Sequence, residues 1–143
     1  MFDAMAKNTL VPLILRLGLA VIFIYHGMGK IQKEGAEFGA AWMKGDDAQP
    51  AIVQMLVAWG ELIGGIALAL GFLTRFAAIG IALIMAGAIW TVHGPKGFGL
   101  QHGGYEYNFA ILVMCAAVFL LGGGTLAVDR VFRLRPRNPV VGR

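Results

Sequence analysis

Apolar residues dominate four separate stretches of the chain, each close to the roughly 20 residues that a helix needs to cross a lipid bilayer. This pattern predicts an all-α fold, an integral membrane four-helix bundle in which each helix satisfies its own backbone hydrogen bonds. With no internal repeat and no composition break, residues 1–143 are expected to form a single domain. The predicted spans cover residues about 10–29, 52–73, 76–93 and 106–123.

The composition agrees with a membrane protein and excludes several other classes. Hydrophobic residues make up 58% of the 143 residues and charged residues only 14%, a balance unlike that of a soluble domain of this length. The net charge of +4 does not indicate a nucleic-acid partner, because the densest basic run, 129–137, directly follows an apolar stretch and suits lipid headgroups. The single cysteine, Cys115, cannot form an internal disulfide or a dithiol pair.

The lysines and arginines predict the orientation of the spans, because cytoplasmic segments carry an excess of these residues. Both termini are therefore expected in the cytoplasm, and the connections 30–51 and 94–105 are expected outside it. Arg16, inside the first span, is expected to extend its guanidinium toward the cytoplasmic interface. The residues assigned to the cytoplasmic side are Lys7, Arg16, Arg75, Arg130, Arg133, Arg135, Arg137 and Arg143. Those assigned to the outer side are Lys30, Lys33, Lys44, Lys96, Glu34, Glu37, Asp46 and Asp47.

The segment after the last span has two interpretations. Val128, Val131, Phe132 and Leu134 are interspersed with arginines, a pattern typical of a short basic amphipathic turn at the inner interface. The alternative is a solvated charged tail that only fixes the topology.

Glycine spacing predicts how the helices pack. Small residues let helix backbones approach each other in lipid, where no hydrophobic effect drives helices together. Gly60 and Gly64 form a small-xxx-small pair that would face the first or the third span, and Gly71 follows seven residues after Gly64. Gly80 and Gly87 repeat the seven-residue spacing in the third span. All five are predicted to be helix-packing residues.

A carboxylate lies inside the second span. Glu61 is expected roughly 13 Å below the outer surface, with its side chain leaning back outward. His26, in the first span, leans inward to about the same depth, and Lys30 lies one turn further out on the same helix face. An ionisable residue at this depth is costly unless it is paired or turned into the bundle, so it is a functional candidate.

The second half of the chain brings further polar groups to the outer end of the bundle. Together with His26, Lys30 and Glu61, they are the candidates for binding a ligand or handling protons: His93, His102, Tyr105 and Glu106. Each also has a structural interpretation. Glu61 would then fix helix register, the histidines would be ordinary interfacial residues, and the tyrosines, Trp42 and Trp90 would anchor the spans at headgroup depth.

Sequence motifs for other chemistries are missing. Neither a His pair at i and i+4 nor a His-Glu-x-x-His pattern concentrates the histidines, so no metal site is predicted. No Walker loop, dinucleotide fingerprint, nucleophile elbow or haem-attachment motif occurs, so we predict neither catalytic residues nor an intrinsic cofactor.

Three separated motifs resemble the DoxX family of small bacterial membrane proteins. They are "LRLGLAVIFIYHGMGKI", "ELIGGIALALGFLTRFAA" and "HGPKGFGLQHGGYEYNFAIL", and the resemblance runs from about Leu15 to Arg130. It implies a four-helix fold and a multi-pass location in the bacterial inner membrane. The family is named for similarity to the membrane subunit of a thiosulfate:quinone oxidoreductase, and some members are linked to membrane oxidoreductase assemblies. Carried over onto this sequence, its recurring polar residues are His26, Lys30, Glu61 and Glu106, with Gly104 and Tyr105 before the last span.

Two functional hypotheses remain open. In the first, the protein is a small subunit of a quinone-linked or respiratory oxidoreductase, and a polar pocket between spans one, two and four binds a quinone. In the second, it is a noncatalytic accessory subunit that uses its buried polar groups for packing or for holding lipid. Both imply contact with membrane lipids and with other membrane subunits or further copies of the chain, and neither involves nucleic acid.

Overall fold

A computed structural model describes residues 2–45 and 48–133. The predictions made for Asp46, Asp47, Leu134, Arg135, Arg137 and Arg143 lie outside these residues. Within them the chain is helical and has no strand, which confirms the all-α fold. The main helices are α1 (Val11–Ile31), α2 (Ala51–Leu70), α3 (Thr74–Ala88), α4 (Glu106–Leu121) and α5 (Val128–Arg133).

Short helical segments extend or connect these helices. An α-helical turn, Phe2–Met5, and a π-helical turn, Ala6–Leu10, precede α1. A second π-helical turn, Ile89–His93, continues α3. The connections also contain three 3₁₀ turns, Glu37–Gly39, Gly94–Lys96 and Leu100–His102.

Three helical segments are long and apolar enough to cross a bilayer, and the fourth is shorter. The long ones are Asp3–Ile31, Ala51–Leu70 and Thr74–Lys96, with 29, 20 and 23 residues. The apolar helix Glu106–Leu121 has 16 residues, or about 24 Å at the α-helical rise. The chain is therefore a multi-pass helical membrane protein with four helices close to the predicted boundaries. Which side each terminus faces stays a prediction.

Glycines determine how closely α1 and α2 approach. A Cβ added to Gly27 would lie 2.6 Å from the backbone nitrogen of Leu62, and one added to Gly65 would lie 2.9 Å from that of Ile24. Real Cβ atoms do not come this close to a neighbouring backbone, so both positions require glycine. Neither residue belongs to the set of packing glycines predicted from the sequence.

The predicted pair Gly60 and Gly64 packs against the third helix. An added Cβ would lie 3.0 Å from the side chain of Ile84 at Gly60 and 3.1 Å from that of Ile81 at Gly64. These contacts bring α2 and α3 together near the middle of the bundle, in agreement with the small-xxx-small interpretation.

Gly80 and Gly87 do not pack against another helix of the described chain, and their role in helix packing stays a prediction. A Cβ at either position would meet no atom of the described chain within 4 Å, and both residues are exposed. The seven-residue spacing places them on one face of α3, but neither glycine is in close contact with another described helix.

Gly71 acts in a turn rather than in a helix interface. It ends α2 in the left-handed conformation with φ 68°, and the N–H of Phe72 donates to the carbonyl of Ala67 over 2.9 Å. The carboxylate of Asp129, from α5, accepts hydrogen bonds from the N–H groups of Leu73 and Thr74, at 2.7 and 2.9 Å. This side chain satisfies backbone donors at the start of α3 and fixes the tight turn between α2 and α3.

Arg16 leans toward the C-terminal end of α2, the direction expected from the sequence, but its guanidinium does not extend to the surface. The residue is fully buried, with 0% exposure. Its guanidinium donates to the carbonyls of Leu68 at 2.7 Å, Ala69 at 3.3 Å and Leu126 at 3.3 Å. Carbonyls at a helix C-terminus lack partners within the helix and carry partial negative charge. Arg16 therefore ties α1 to the end of α2 and to the segment before α5.

We expect Arg16→Met to lower the free energy of unfolding by about 2 kcal/mol or more, because it leaves buried carbonyl oxygens without a donor. Helicity followed by circular dichroism during denaturant titration in detergent measures this change. Arg75→Met is the control, since Arg75 is exposed and its single backbone contact is 3.5 Å long; its effect should stay within about 0.5 kcal/mol. Equal stability of the Arg16 variant and the wild type would contradict the assignment.

Candidate functional site

A cavity of about 660 Å³ lies between the helices, at the end of the bundle covered by the two longer connections. Helices α1, α2, α3 and α4 all line it, together with the π-helical turn after α3 and both connections. The prediction named spans one, two and four, but α3 also supplies a large part of the wall, including Ile84, Met85 and Ala88. Most of the lining surface is apolar, although nine of the 25 lining residues have polar side chains.

An ion pair between α1 and α2 lies in this cavity. Lys30 Nζ donates to Glu61 Oε2 at 2.5 Å, and the two side chains are 18% and 4% exposed. Lys30 Nζ also lies 5.1 Å from the ring centroid of Trp42, within the range of a cation–π contact. The pairing partly offsets the cost of placing two charges in an apolar surrounding.

His26 lines the same cavity but is more open. Its ring packs edge to face on Tyr25, with centroids 5.6 Å apart, and the residue is exposed. It lines the cavity from α1, and Glu61 lines it from α2. The structure thus brings His26, Lys30 and Glu61 to one cavity, at similar depth on neighbouring helices.

Gln54 holds the connection between α1 and α2 over the cavity. Its Oε1 accepts from the N–H of Met43 at 2.7 Å, and its Nε2 donates to the carbonyl of Gln49 at 2.7 Å. Trp42 Nε1 donates to the Gln54 carbonyl at 2.9 Å. Gln54 is only 4% exposed. We call Trp42, Met43 and Gln49 the roof residues, because they line the cavity from this connection and Gln54 fixes their positions.

Polar residues from the second half of the chain also reach the cavity. His93 Nδ1 lies 2.7 Å from the carbonyl oxygen of Gly103, which fixes the histidine against the loop before α4. Asn108 is 5% exposed, and its Nδ2 donates to Met85 Sδ at 3.5 Å. The exposed Tyr107 also lines the cavity from α4.

Glu106, His102 and Tyr105 do not join this cluster, because none of them lines the cavity. Their assignment as candidates for binding a ligand or handling protons stays a prediction. The Glu106 carboxylate accepts from the N–H of Leu100 at 3.0 Å and so stabilises the loop. The Tyr105 ring packs on Phe98, with centroids 5.3 Å apart. His102 is exposed on a 3₁₀ turn. The conformation of this loop, which the sequence pattern does not specify, turns all three away.

Two residues that shape the cavity, Gln54 and Trp42, are not among the site residues predicted from the sequence. Gln54 lies seven residues before Glu61, on the same face of α2, and this spacing is a signal that it points inward. Trp42 was interpreted as an interface anchor, and no sequence signal identifies it as a partner of Lys30.

Chemically, the site offers an ammonium donor, a carboxylate and an imidazole at the edge of an apolar cavity. It suits a ligand with an apolar body and one or more hydrogen-bond acceptors. Among residues 2–45 and 48–133, no group of three or more His, Cys, Asp or Glu is placed to hold a metal ion.

Breaking the ion pair from one side should cost more than replacing both partners. We expect Lys30→Met to lower the free energy of unfolding by about 3 kcal/mol, because it leaves Glu61 buried without a counter-ion. The double variant Lys30→Met/Glu61→Leu should recover most of this loss, which a double-mutant cycle in detergent would measure. Lys96→Met, at an exposed lysine outside the cavity, is the control. If the effects of Lys30→Met and Glu61→Leu, each measured alone, add up to the effect of the double variant, the two residues are not a coupled pair.

Comparison with known proteins identifies the family. The DoxX family profile matches residues 11–94. A Bacillus subtilis protein named "Putative oxidoreductase CatD" is 33% identical over 117 residues, which cover 82% of this chain and 83% of that protein. A Haemophilus influenzae protein named "Uncharacterized protein" is 29% identical over 124 residues, 85% of this chain and 82% of that protein. No solved structure matches the chain. This four-helix membrane protein, with its Lys30–Glu61 pair, belongs to the DoxX family.

Proposed function

We propose that this protein is a small integral membrane subunit of a quinone-linked oxidoreductase system, located in a bacterial inner membrane, and that its cavity binds the quinone head. The observation that carries the proposal is the Lys30–Glu61 pair inside an apolar cavity. Membership of the DoxX family and similarity to a protein named as an oxidoreductase support it.

The groups in the cavity suit a quinone. A quinone has an apolar ring and two carbonyl oxygens that accept hydrogen bonds, and the Lys30 ammonium is a charge-assisted donor. Glu61, paired with Lys30 and in the same cavity as His26, is the group that exchanges a proton when the quinone is reduced. Reduction of a quinone to a quinol takes up two electrons and two protons. In this proposal a partner protein provides the electrons, and the cavity provides binding and protons.

The volume of the cavity and the distribution of its lining residues also suit a quinone head. A volume of about 660 Å³ lies within the range of roughly 300–1,000 Å³ that is typical of small-molecule sites. The charged groups lie on the α1 and α2 side of the cavity, whereas the α3 side is lined mainly by Leu83, Ile84 and Met85. The cavity therefore provides a polar wall for carbonyl oxygens and an apolar wall for the ring.

Quinone titration of purified protein tests the proposal, with tryptophan fluorescence as the signal, because Trp42 lines the cavity. We expect saturable quenching in the wild type and an affinity about tenfold lower or weaker still in Lys30→Met, since a charge-assisted hydrogen bond contributes about 1.5–3 kcal/mol. Glu61→Gln should also weaken binding. Lys96→Met, which leaves the cavity intact, should bind as the wild type does.

An outcome with no saturable binding to the wild type would contradict the proposal. It would favour the second candidate, a noncatalytic accessory subunit. The exposed face of α3 supports that candidate, because Gly80 and Gly87 leave room there for a helix of another subunit. Purification in mild detergent as a single monodisperse chain with no other protein would in turn count against it.

A further inference from the structure

The exposed residues that line the cavity indicate two side openings of different chemical character. Val53 on α2, with Leu83, Gly87 and Thr91 on α3 and the turn after it, marks one side, and His26 on α1 with Tyr107 on α4 marks the other; the remaining exposed lining residue, Leu100, belongs to the loop before α4. Above the cavity, the roof residues and the loop before α4 lie across the end of the bundle. In a membrane protein the side openings face acyl chains or headgroups, so their character determines what passes through them.

The opening between α2 and α3 is apolar. Gly60 packs against Ile84, and Val57 and Val53 follow one and two turns further toward the roof on the same side of α2. On α3, Gly87 and Thr91 lie one and two turns beyond Ile84. Each of these four residues lines the cavity, and all but the half-buried Val57 are exposed.

Among the described residues named at this opening, the one polar side-chain group is already hydrogen-bonded. The hydroxyl of Thr91 lies 2.9 Å from the carbonyl of Gly87 and donates to it. The Thr91 hydroxyl is therefore already bonded to the helix backbone, and the neighbouring lining residues are two valines and a glycine. Nothing of the described chain lies within 4 Å of the space where a Gly87 side chain would be.

The opening between α1 and α4 is polar. His26 on α1 and Tyr107 on α4 line the cavity, and both are exposed. Lys30 lies one turn beyond His26 on the same face of α1. A charged or hydrogen-bonding head is accommodated on this side, whereas a hydrocarbon chain gains nothing from these groups.

We propose that the ligand is a lipid-soluble molecule with a long hydrocarbon tail, whose head lies beside Lys30 and Glu61 and whose tail leaves the cavity for the bilayer between α2 and α3. This inference rests on the proposed function and deepens it, because it specifies a tailed quinone, taken from the membrane, rather than a water-soluble acceptor. Gly87 is the residue that keeps the opening clear.

The chain contains a matched pair of glycines for the test. Gly80 and Gly87 are both exposed, lie seven residues apart on one face of α3 and have nothing within 4 Å of an added Cβ. Only Gly87 lines the cavity. Leucine at either position adds the same side chain to the same helix, so Gly80→Leu controls for effects on folding and on the lipid-facing surface.

Two probes separate head from tail: a dimethoxy-methyl-benzoquinone without a tail and the same head carrying a decyl chain. We expect the wild type to bind both, and the decyl compound more tightly, because buried methylene groups add affinity. Gly87→Leu should weaken binding of the decyl compound by roughly tenfold or more, leaving the tail-less compound within about twofold. Gly80→Leu should bind both compounds as the wild type does.

The outcomes distinguish this inference from the function on which it rests. If the wild type binds neither compound, the quinone proposal fails and this inference fails with it. If it binds both but Gly87→Leu leaves the decyl compound unaffected, or weakens both compounds equally, only the tail position is overturned. A photoreactive azide at the end of the decyl chain gives a second readout. We expect cross-links to residues 53–57 and 83–91, and cross-links confined to α1 and α4 would overturn the inference.

Discussion

The pairing of Lys30 with Glu61 is the interaction on which the arrangement of this protein depends. Two opposite charges in an apolar surrounding are tolerated only when they meet each other, so the pair fixes how far α1 and α2 can slide or rotate. The backbone geometry makes the meeting possible. Gly27 lies three residues before Lys30, and Gly65 lies four residues after Glu61, at the points where the two helices pack with no room for a side chain.

The same physical rule gives the two ends of the bundle opposite characters. At one end Arg16 donates to backbone carbonyls from the end of α2 and from the segment before α5, and these hydrogen bonds hold the three parts of the chain together. At the other end the side chains of Lys30 and Glu61 lie in a cavity, where their remaining hydrogen-bonding capacity faces open space. A buried charge that only holds backbone is structural, whereas a buried pair beside a cavity of ligand size can also bind a molecule. This contrast is the reason for assigning function to the second and not to the first.

Hydropathy predicted the four spans to within a few residues, because a helix that crosses the hydrocarbon core needs a continuous apolar segment of sufficient length. The expected depth and side-chain direction of Glu61, Lys30 and His26 predicted from the sequence that these three residues lie close together. The burial of Arg16 was not predicted. Hydropathy does not show that the unpaired backbone carbonyls at the end of α2 lie within hydrogen-bonding distance of its side chain. Gly80 and Gly87 had a convincing spacing, but periodicity does not show which face of a helix meets a partner. The loop before α4 determines where Glu106, His102 and Tyr105 lie. This loop contains glycines at positive φ, such as Gly97 and Gly103, and local hydrogen bonds rather than hydropathy set its path.

If the cavity next to Lys30 and Glu61 holds a lipid-soluble ligand, that ligand should leave the membrane together with the protein. Native mass spectrometry of the protein, released from membranes in the mildest detergent that extracts it, would detect the ligand. We expect the wild type to carry a bound quinone, identified by its mass and by organic extraction, and Lys30→Met/Glu61→Leu to carry none. A wild-type protein whose only adducts are bulk phospholipids, present to the same extent in the double variant, would contradict this expectation.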